Sequence, residues 1–451
     1  MNRGFYTVII AQTFSSLADN ALFIAAIALI HQLEGPVWVP PLIKWGVAAS
    51  YVLLAPFVGA IADAYPKGKV MFSTNAFKVL GCLLMFSYGF FGLTASEQIV
   101  LICVAYAVVG TGAAAYSPAK YGIITEMLPP EKLVIGNSWI EGMTVVSIIM
   151  GSVVGGLLVS PAVSAWLLSH NTLQQIASTP AEVAIVMIGL LYIAAALTNL
   201  LIPNTNAQYP KQHHHPIRLI KAFAVYTKVL WTDKLGQISL GVTTLFWGAG
   251  ATLQLIVIEW GRSQLGYRLD QASILMGIAA LGTVLGSIAA ARVPLKQSLR
   301  VLPVGALMGL VVLIMPLIYN EWAVYGLLLV IGILSGFFVV PMNALLQHRG
   351  HLLLSAGHSI AVQNFNEQLN ILLMVSLYSL MLWLGVSINT IIVMFGLSVA
   401  ILMLVLIRWH QTNLRKDPNL VLRIGEHGQG QALSRDERPN QTDTSRPPAS
   451  G

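Results

Sequence analysis

The chain has 451 residues, of which 56% are hydrophobic and only 10% charged. An ordinary soluble domain is about a quarter charged, so too little polar surface exists here to cover a soluble protein, and a soluble enzyme is excluded. The formal charge of +7 raises nucleic acid as a partner, but the basic residues are sorted by side of a row of apolar runs and report topology instead.

Apolar runs between polar or Pro/Gly breaks predict helices near 5–32, 42–62, 70–92, 97–118, 133–159 and 183–202. A second set falls near 236–260, 272–291, 301–319, 322–346, 358–384 and 388–408. Runs of about 20 residues cross a bilayer. The first is too long for a signal-peptide core, carries Asp19 at its middle and has no small-residue cleavage site after it, so it is expected to be retained. The fold class expected is all-α and polytopic, with about twelve transmembrane helices in two six-helix halves.

Residues 1–202 are read as an N-terminal six-helix bundle and 236–408 as a C-terminal one. Between them, 203–235 is polar and basic and contains Pro203, Pro210 and Pro216, which predicts a cytoplasmic linker. Residues 409–451 have almost nothing apolar beyond Ile424 and are expected to be a disordered cytoplasmic tail. With the N-terminus in the cytoplasm, all of the 25 Lys and Arg except Lys44, Lys78, Arg262 and Arg268 fall on the cytoplasmic side. This asymmetry predicts a multi-pass inner-membrane protein with both termini inside. Cys82 and Cys103 lie in apolar runs and give neither a disulfide framework nor a metal spacing.

Three weak echoes link the halves: Gly59-Ala-Ile-Ala62 with Gly286-Ser-Ile-Ala289, Gly112 to Lys120 with Gly336 to Asn343, and Gly136-Asn-Ser138 with Gly357-His-Ser359. Their common order suggests parallel six-helix repeats around a central path.

Gly110-x-Gly112-x-x-Ala115, with Glu131 about 20 residues on, fits a dinucleotide fingerprint. Its flanks are long enough to span, so the small residues are read as close helix packing and no cofactor is expected. No Walker A loop occurs, so nothing indicates ATP drive. His213 to His215 stand in a polar linker without Cys or acidic companions and are read as solvated, with no metal expected.

Ionisable residues inside spans are costly and mark pathways. Asp19, Lys78, Glu141, Glu259 and Glu367 are of this kind, with Lys120 at the end of the fourth span. Asp19 is read as a cavity carboxylate for a cationic group or proton, and Lys120 with Glu141 as a pair. Gln363, Asn364, Glu367 and Asn370 make one face of the eleventh span polar, as a cavity wall is. Glu259, near the outer end of the seventh span, is read as interfacial.

Gly59-x3-Asp63-x4-Gly68-Lys69 resembles the signature loop of the major facilitator superfamily, which implies that Asp63, Lys67 and Lys69 form a conformational latch. Ala18-Asp19-Asn20-Ala21-Leu22, Ala113 to Gly122, Leu245-Phe-Trp-Gly-Ala-Gly250, Phe337 to Pro341, Asn343 to Gln347 and Ala361-Val-Gln-Asn364 with Glu367 resemble the bacterial lysophospholipid transporters of that superfamily. The resemblance covers about residues 7–408.

It implies movement of lysophosphatidylethanolamine and lysophosphatidylglycerol from the outer to the inner leaflet, where a separate acyl-ACP-dependent acyltransferase-synthetase restores the missing chain. Membrane lipid and that enzyme are the partners implied, with a monomeric transporter and no nucleic acid. The substrate-binding set expected is Asp19, Lys120, Glu141, Gln254, Gln363, Asn364 and Glu367, with Asp19 on the ethanolamine ammonium and Lys120 on the phosphate. Members of the family carry an Arg on the seventh helix where this chain has Gln254. The alternative is a proton-coupled exporter of small amphiphiles with Asp19 or Glu367 as proton site. An intramembrane enzyme acting through Ser117 lacks a His in the core of any predicted span, so no enzyme activity is expected.

Overall fold

A computed structural model describes residues 3–35, 39–169, 175–207, 209, 215–267 and 269–424. Six long helices form the first half: α1 (Arg3–Gln32), α2 (Val39–Ala64), α3 (Lys67–Phe86), α4 (Ala95–Met127), α5 (Leu133–Val159) and α6 (Pro180–Asn199). Six more form the second: α7 (Gly236–Ser263), α8 (Leu269–Ala290), α9 (Leu302–Val312), α10 (Glu321–Leu353), α11 (Ala356–Trp383) and α12 (Ile388–Lys416). Among the described residues, 10 helices are long and apolar enough to cross a membrane, and α8 adds the shorter apolar stretch Ile274–Ala290. The remaining span, α11, is diluted by Gln363, Asn364, Asn366, Glu367 and Asn370.

The packing repeats between halves. In the first, α1 lies against α5, α2 against α4 and α3 against α6; in the second, α7 lies against α11, α8 against α10 and α9 against α12. The halves meet through the exchanged pairs α2–α11 and α5–α8, so a pseudo-twofold axis runs between them. Each half keeps an apolar core, one around Leu22, Ile102 and Tyr192 and one around Ile256, Trp260 and Leu328. A third apolar cluster joins the halves at the end that carries the chain termini.

Four boundaries differ from expectation. Helix α10 continues past 346 to Leu353, and α4 runs through Pro118 to Met127, the latter because prolines inside membrane helices are tolerated where neighbours satisfy the freed backbone groups. Nearby, the Tyr51 hydroxyl donates to the Ala113 carbonyl at 3.1 Å. Helix α3 stops at Phe86, followed by a 3-10 turn over Ser87–Gly89. The linker contains a helix, Pro216–Thr232, with Pro at the first turn where its missing N–H costs nothing. That helix buries Phe223 and Leu230 against α2 and α11.

The tail is the fourth. Helix α12 continues to Lys416, and Leu420–Arg423 forms a 3-10 turn after it. Leu420 and Ile424 are buried in the joint cluster, and Lys234 reaches Asp417 at 3.5 Å. Two apolar side chains are enough to fasten this stretch, since each fully buried Leu or Ile contributes about 1.5–3 kcal/mol. The rest of the expected tail, from 425 on, and His213 and His214 lie outside the described residues.

Candidate functional site

A cavity of about 210 Å³ lies between the halves near mid-span, lined by residues of α1, α4 and α11 with single contributions from α2, α3, α5, α7 and α10. It places Asp19, Lys120, Gln363, Asn364 and Glu367 together. Glu141 and Gln254 are not on its lining. From α7 it is Trp247 that faces the cavity, and Gln254 sits two helical turns further along.

Asp19 does not stand free. The Lys78 ammonium donates to both carboxylate oxygens, at 2.8 and 2.9 Å, and the Tyr192 hydroxyl donates to Oδ1 at 2.6 Å. Lys78 also donates to Ser15 Oγ at 3.1 Å, and Ser15 to Asn75 Oδ1 at 2.7 Å. Asp19 thus lines the cavity with its charge already met by a Lys from α3, whose side chain is 1% exposed against 30% for Asp19. Room for Lys78 comes from Gly112, where a Cβ would stand 2.7 Å from Lys78 Cγ and 3.0 Å from the Thr74 carbonyl. The glycines that mimic a dinucleotide fingerprint therefore serve helix packing.

The expected Lys120–Glu141 pair is not formed. Among the described residues Lys120 makes no ion pair, and its ammonium lies 4.1 Å from the centre of the Tyr121 ring. Glu141 instead accepts from the Tyr121 hydroxyl at 3.3 Å and from Asn343 Nδ2 at 3.0 Å. A short chain of polar contacts continues from there: Gln363 Nε2 donates to Asn343 Oδ1 at 3.1 Å and to Glu367 Oε1 at 2.8 Å. Asn364 crosses back to the first half, donating to Ser117 Oγ at 2.9 Å. Lining residues with unused capacity are Gln12 Nε2, Tyr116 OH and Gln363 Oε1, all buried without a partner. A buried polar atom left unpaired costs about 1–3 kcal/mol, so these atoms mark where a ligand's polar groups gain most.

The end that carries the termini is shut by polar contacts between the halves. Ser355 caps α11, and Asp63 from α2 caps the same helix from the other half. The Gly357 N–H donates to Asp63 Oδ1 at 2.9 Å, and the His358 N–H to Oδ2 at 3.3 Å. The Ser355 hydroxyl donates to Oδ2, and His358 Nδ1 lies 2.8 Å from it. A carboxylate at a helix N-terminus meets both unpaired N–H groups and the positive end of the helix dipole. Close approach requires Gly357, where a Cβ would stand 2.6 Å from the Gly59 carbonyl and 2.7 Å from Asp63 Oδ1.

Lys67 reinforces the closure, with its ammonium 3.3 Å from Asp63 and 2.9 Å from Glu126. Glu126 also accepts from Thr205 Oγ1 and, at 2.7 Å, from the Tyr209 hydroxyl, so the segment after α6 straps the same cluster. Lys69 stands apart, exposed and without an ion pair among the described residues. Deeper in, Asn137 and Gln347 exchange amide hydrogen bonds at 2.9 and 2.8 Å, and Ser138 donates to the Ser287 carbonyl at 2.6 Å.

Sequence reasoning missed Lys78, Tyr192 and Asn343 as site partners. The available signal was charge balance: Asp19 and Lys78 are opposite charges at similar depth in neighbouring spans, and an intramembrane charge demands a partner.

Residues 8–365 match the model of the Major Facilitator Superfamily. A lysophospholipid transporter, LplT, of Pectobacterium carotovorum is 42% identical over 393 residues, covering 86% of this chain and 89% of that one. The protein of the same name from Photorhabdus laumondii is 37% identical over 414 residues, covering 91% and 96%. In fold, the chain is similar to a bacterial homologue of the iron transporter ferroportin in an outward-facing state. The TM-score is 0.68 at 14% identity, covering 91% of this chain and 100% of that one. It is also similar to the major facilitator transporter FucP in the outward conformation, with a TM-score of 0.66 at 13% identity over 90% and 99%.

Proposed function

We propose, from the premise that this chain belongs to the lysophospholipid transporter family of the major facilitator superfamily, that it carries lysophospholipids from the outer to the inner leaflet of the cell inner membrane by alternating access. The observation that carries this reading is a mid-span cavity with a cation lacking a carboxylate partner, Lys120, beside the unpaired donors Gln12 Nε2 and Tyr116 OH. Those three groups suit a phosphate, while a single acyl chain stays in apolar surroundings between helices.

The sealed end is the cytoplasmic one, because the basic residues gather on that side. Both termini then lie inside, and the conformation described is ready to load from the outer leaflet. Asp63 and Lys67 hold that closure as the latch. Asp19 acts through Lys78 as part of the cavity wall and not as the ammonium acceptor. The product arriving in the inner leaflet lacks one acyl chain and is the substrate of an acyl-ACP-dependent acyltransferase-synthetase, the functional partner.

Reconstituted protein should move lysophosphatidylethanolamine and lysophosphatidylglycerol to the inner leaflet without an imposed proton gradient, and Lys120→Gln should slow both. Uptake that requires the gradient and favours amphiphiles without a phosphate would replace this reading with the proton-coupled exporter.

A further inference from the structure

The two walls of the cavity offer opposite hydrogen-bonding character. The N-terminal half supplies donors: Lys120, Gln12 Nε2 and Tyr116 OH. The C-terminal half supplies acceptors: the Glu367 carboxylate and Gln363 Oε1.

Three carboxylates are near enough to matter, and two are committed. Asp19 is taken by Lys78 and Tyr192. Glu141 is off the lining, its Oε1 shared between Tyr121 and Asn343. Glu367 is on the lining, 7% exposed, and forms no ion pair among the described residues. Its carboxylate accepts from Gln363 Nε2 at 2.8 Å and has the Thr243 hydroxyl within hydrogen-bonding reach, both uncharged donors. The same Gln363, 6% exposed, keeps its Oε1 unpaired, so a buried carboxylate and a buried amide oxygen stand together without a cation. An isolated buried carboxylate is costly to keep, and a primary ammonium, which donates three N–H bonds, supplies both the missing charge and the missing donor.

We infer that Glu367, oriented by Gln363, is the residue that recognises the primary ammonium of an ethanolamine headgroup, across the cavity from the donors that hold its phosphate. This rests on the lysophospholipid reading above and assigns headgroup selectivity to one wall. A glycerol headgroup has the same phosphate but only hydroxyl donors and no charge, so it depends on Glu367 far less.

The test is competition in one preparation of full-length protein in liposomes, with labelled lysophosphatidylglycerol as the transported lipid and unlabelled lysophosphatidylethanolamine as competitor. In Glu367→Gln, a nearly isosteric exchange, the competitor should weaken about tenfold or more, the scale of one charge-assisted hydrogen bond. The KM for lysophosphatidylglycerol should rise by a clearly smaller factor. Loss of both substrates in equal measure, or of neither, overturns the assignment.

A second measurement needs no variant: stepwise N-methylation of the ethanolamine competitor should weaken it at each lost N–H in the wild type. Equal competition by the unmethylated and fully methylated lipids also overturns it. Failure of the wild type to move lysophosphatidylglycerol at all would instead count against the proposed function.

Discussion

In the N-terminal half the half-buried carboxylate on α1 meets its opposite charge on α3; in the C-terminal half the buried carboxylate on α11 meets an amide. The helices around them are arranged alike, yet the electrostatics differ. A carboxylate held by Lys78 and Tyr192 is already satisfied, so its contribution is to fix α1, α3 and α6 relative to one another. A carboxylate that meets only uncharged donors has no counterion among the described residues. On the inference above, similar chemistry at two sites serves scaffold in one half and recognition in the other.

Lys78→Met breaks that comparison most sharply. It strands Asp19, and removing one member of a buried pair costs about 3 kcal/mol or more. The variant should unfold at a clearly lower temperature in detergent, while Glu367→Gln, which removes a charge that has no partner, should leave the melting temperature unchanged. Adding Asp19→Asn to Lys78→Met should recover most of the loss. A melting temperature for Lys78→Met equal to wild type would mean that the pair does not fasten the half.

Next in size is the end of the C-terminal half. Truncation after Lys416 removes Leu420 and Ile424 from the joint cluster and should lower stability by about 3 kcal/mol, the lower end for two buried side chains; truncation after Ile424 should not. Equal melting curves for the two truncations would return residues 417–424 to a passive tail.

At the seam between the halves, Asp63→Asn retains the shape but loses the charge that caps α11, with an effect of about 1–2 kcal/mol. Transport should slow with normal insertion. A Thr144→Cys reporter, which lines the cavity, should become easier to alkylate from the side bearing the termini. Unchanged rate and labelling would reduce Asp63 to a surface carboxylate. The smallest effect is expected at Lys69, which shares the first turn of α3 with Lys67 but none of its contacts: Lys69→Gln should shift stability by less than about 0.5 kcal/mol, whereas Lys67→Gln should behave like Asp63→Asn.

Hydropathy located the spans because bilayer thickness sets their length, and the fold class followed from their count and order. The helix end at Pro118 misled, since proline ends helices in water more reliably than among packed neighbours. The linker helix was hidden by composition: Phe223, Thr227 and Leu230 recur at helical spacing, but Lys221 and Lys228 between them made the stretch look like solvated chain. At the site, residue types were readable and partnerships were not. Asp19 and Lys78 lie on different helices, and no periodicity within one helix says which face meets which. Gln254 was placed in the cavity by resemblance alone; it shares a face of α7 with Trp247, which lines the cavity, but stands two turns, about 10 Å, further along.

The cap that Asp63 places on α11 belongs to one conformation only. When the halves part at that end, the N–H groups of Gly357 and His358 lose the carboxylate and keep only Ser355. The equilibrium between the two ways of facing is thus weighted by a helix end that holds no ligand: about 2 kcal/mol of capping corresponds to roughly a thirtyfold population bias. A bound lipid moves that balance only by the difference between its affinities for the two arrangements, so the strength of an interaction far from the cavity sets how selective a lipid must be before it is carried at all.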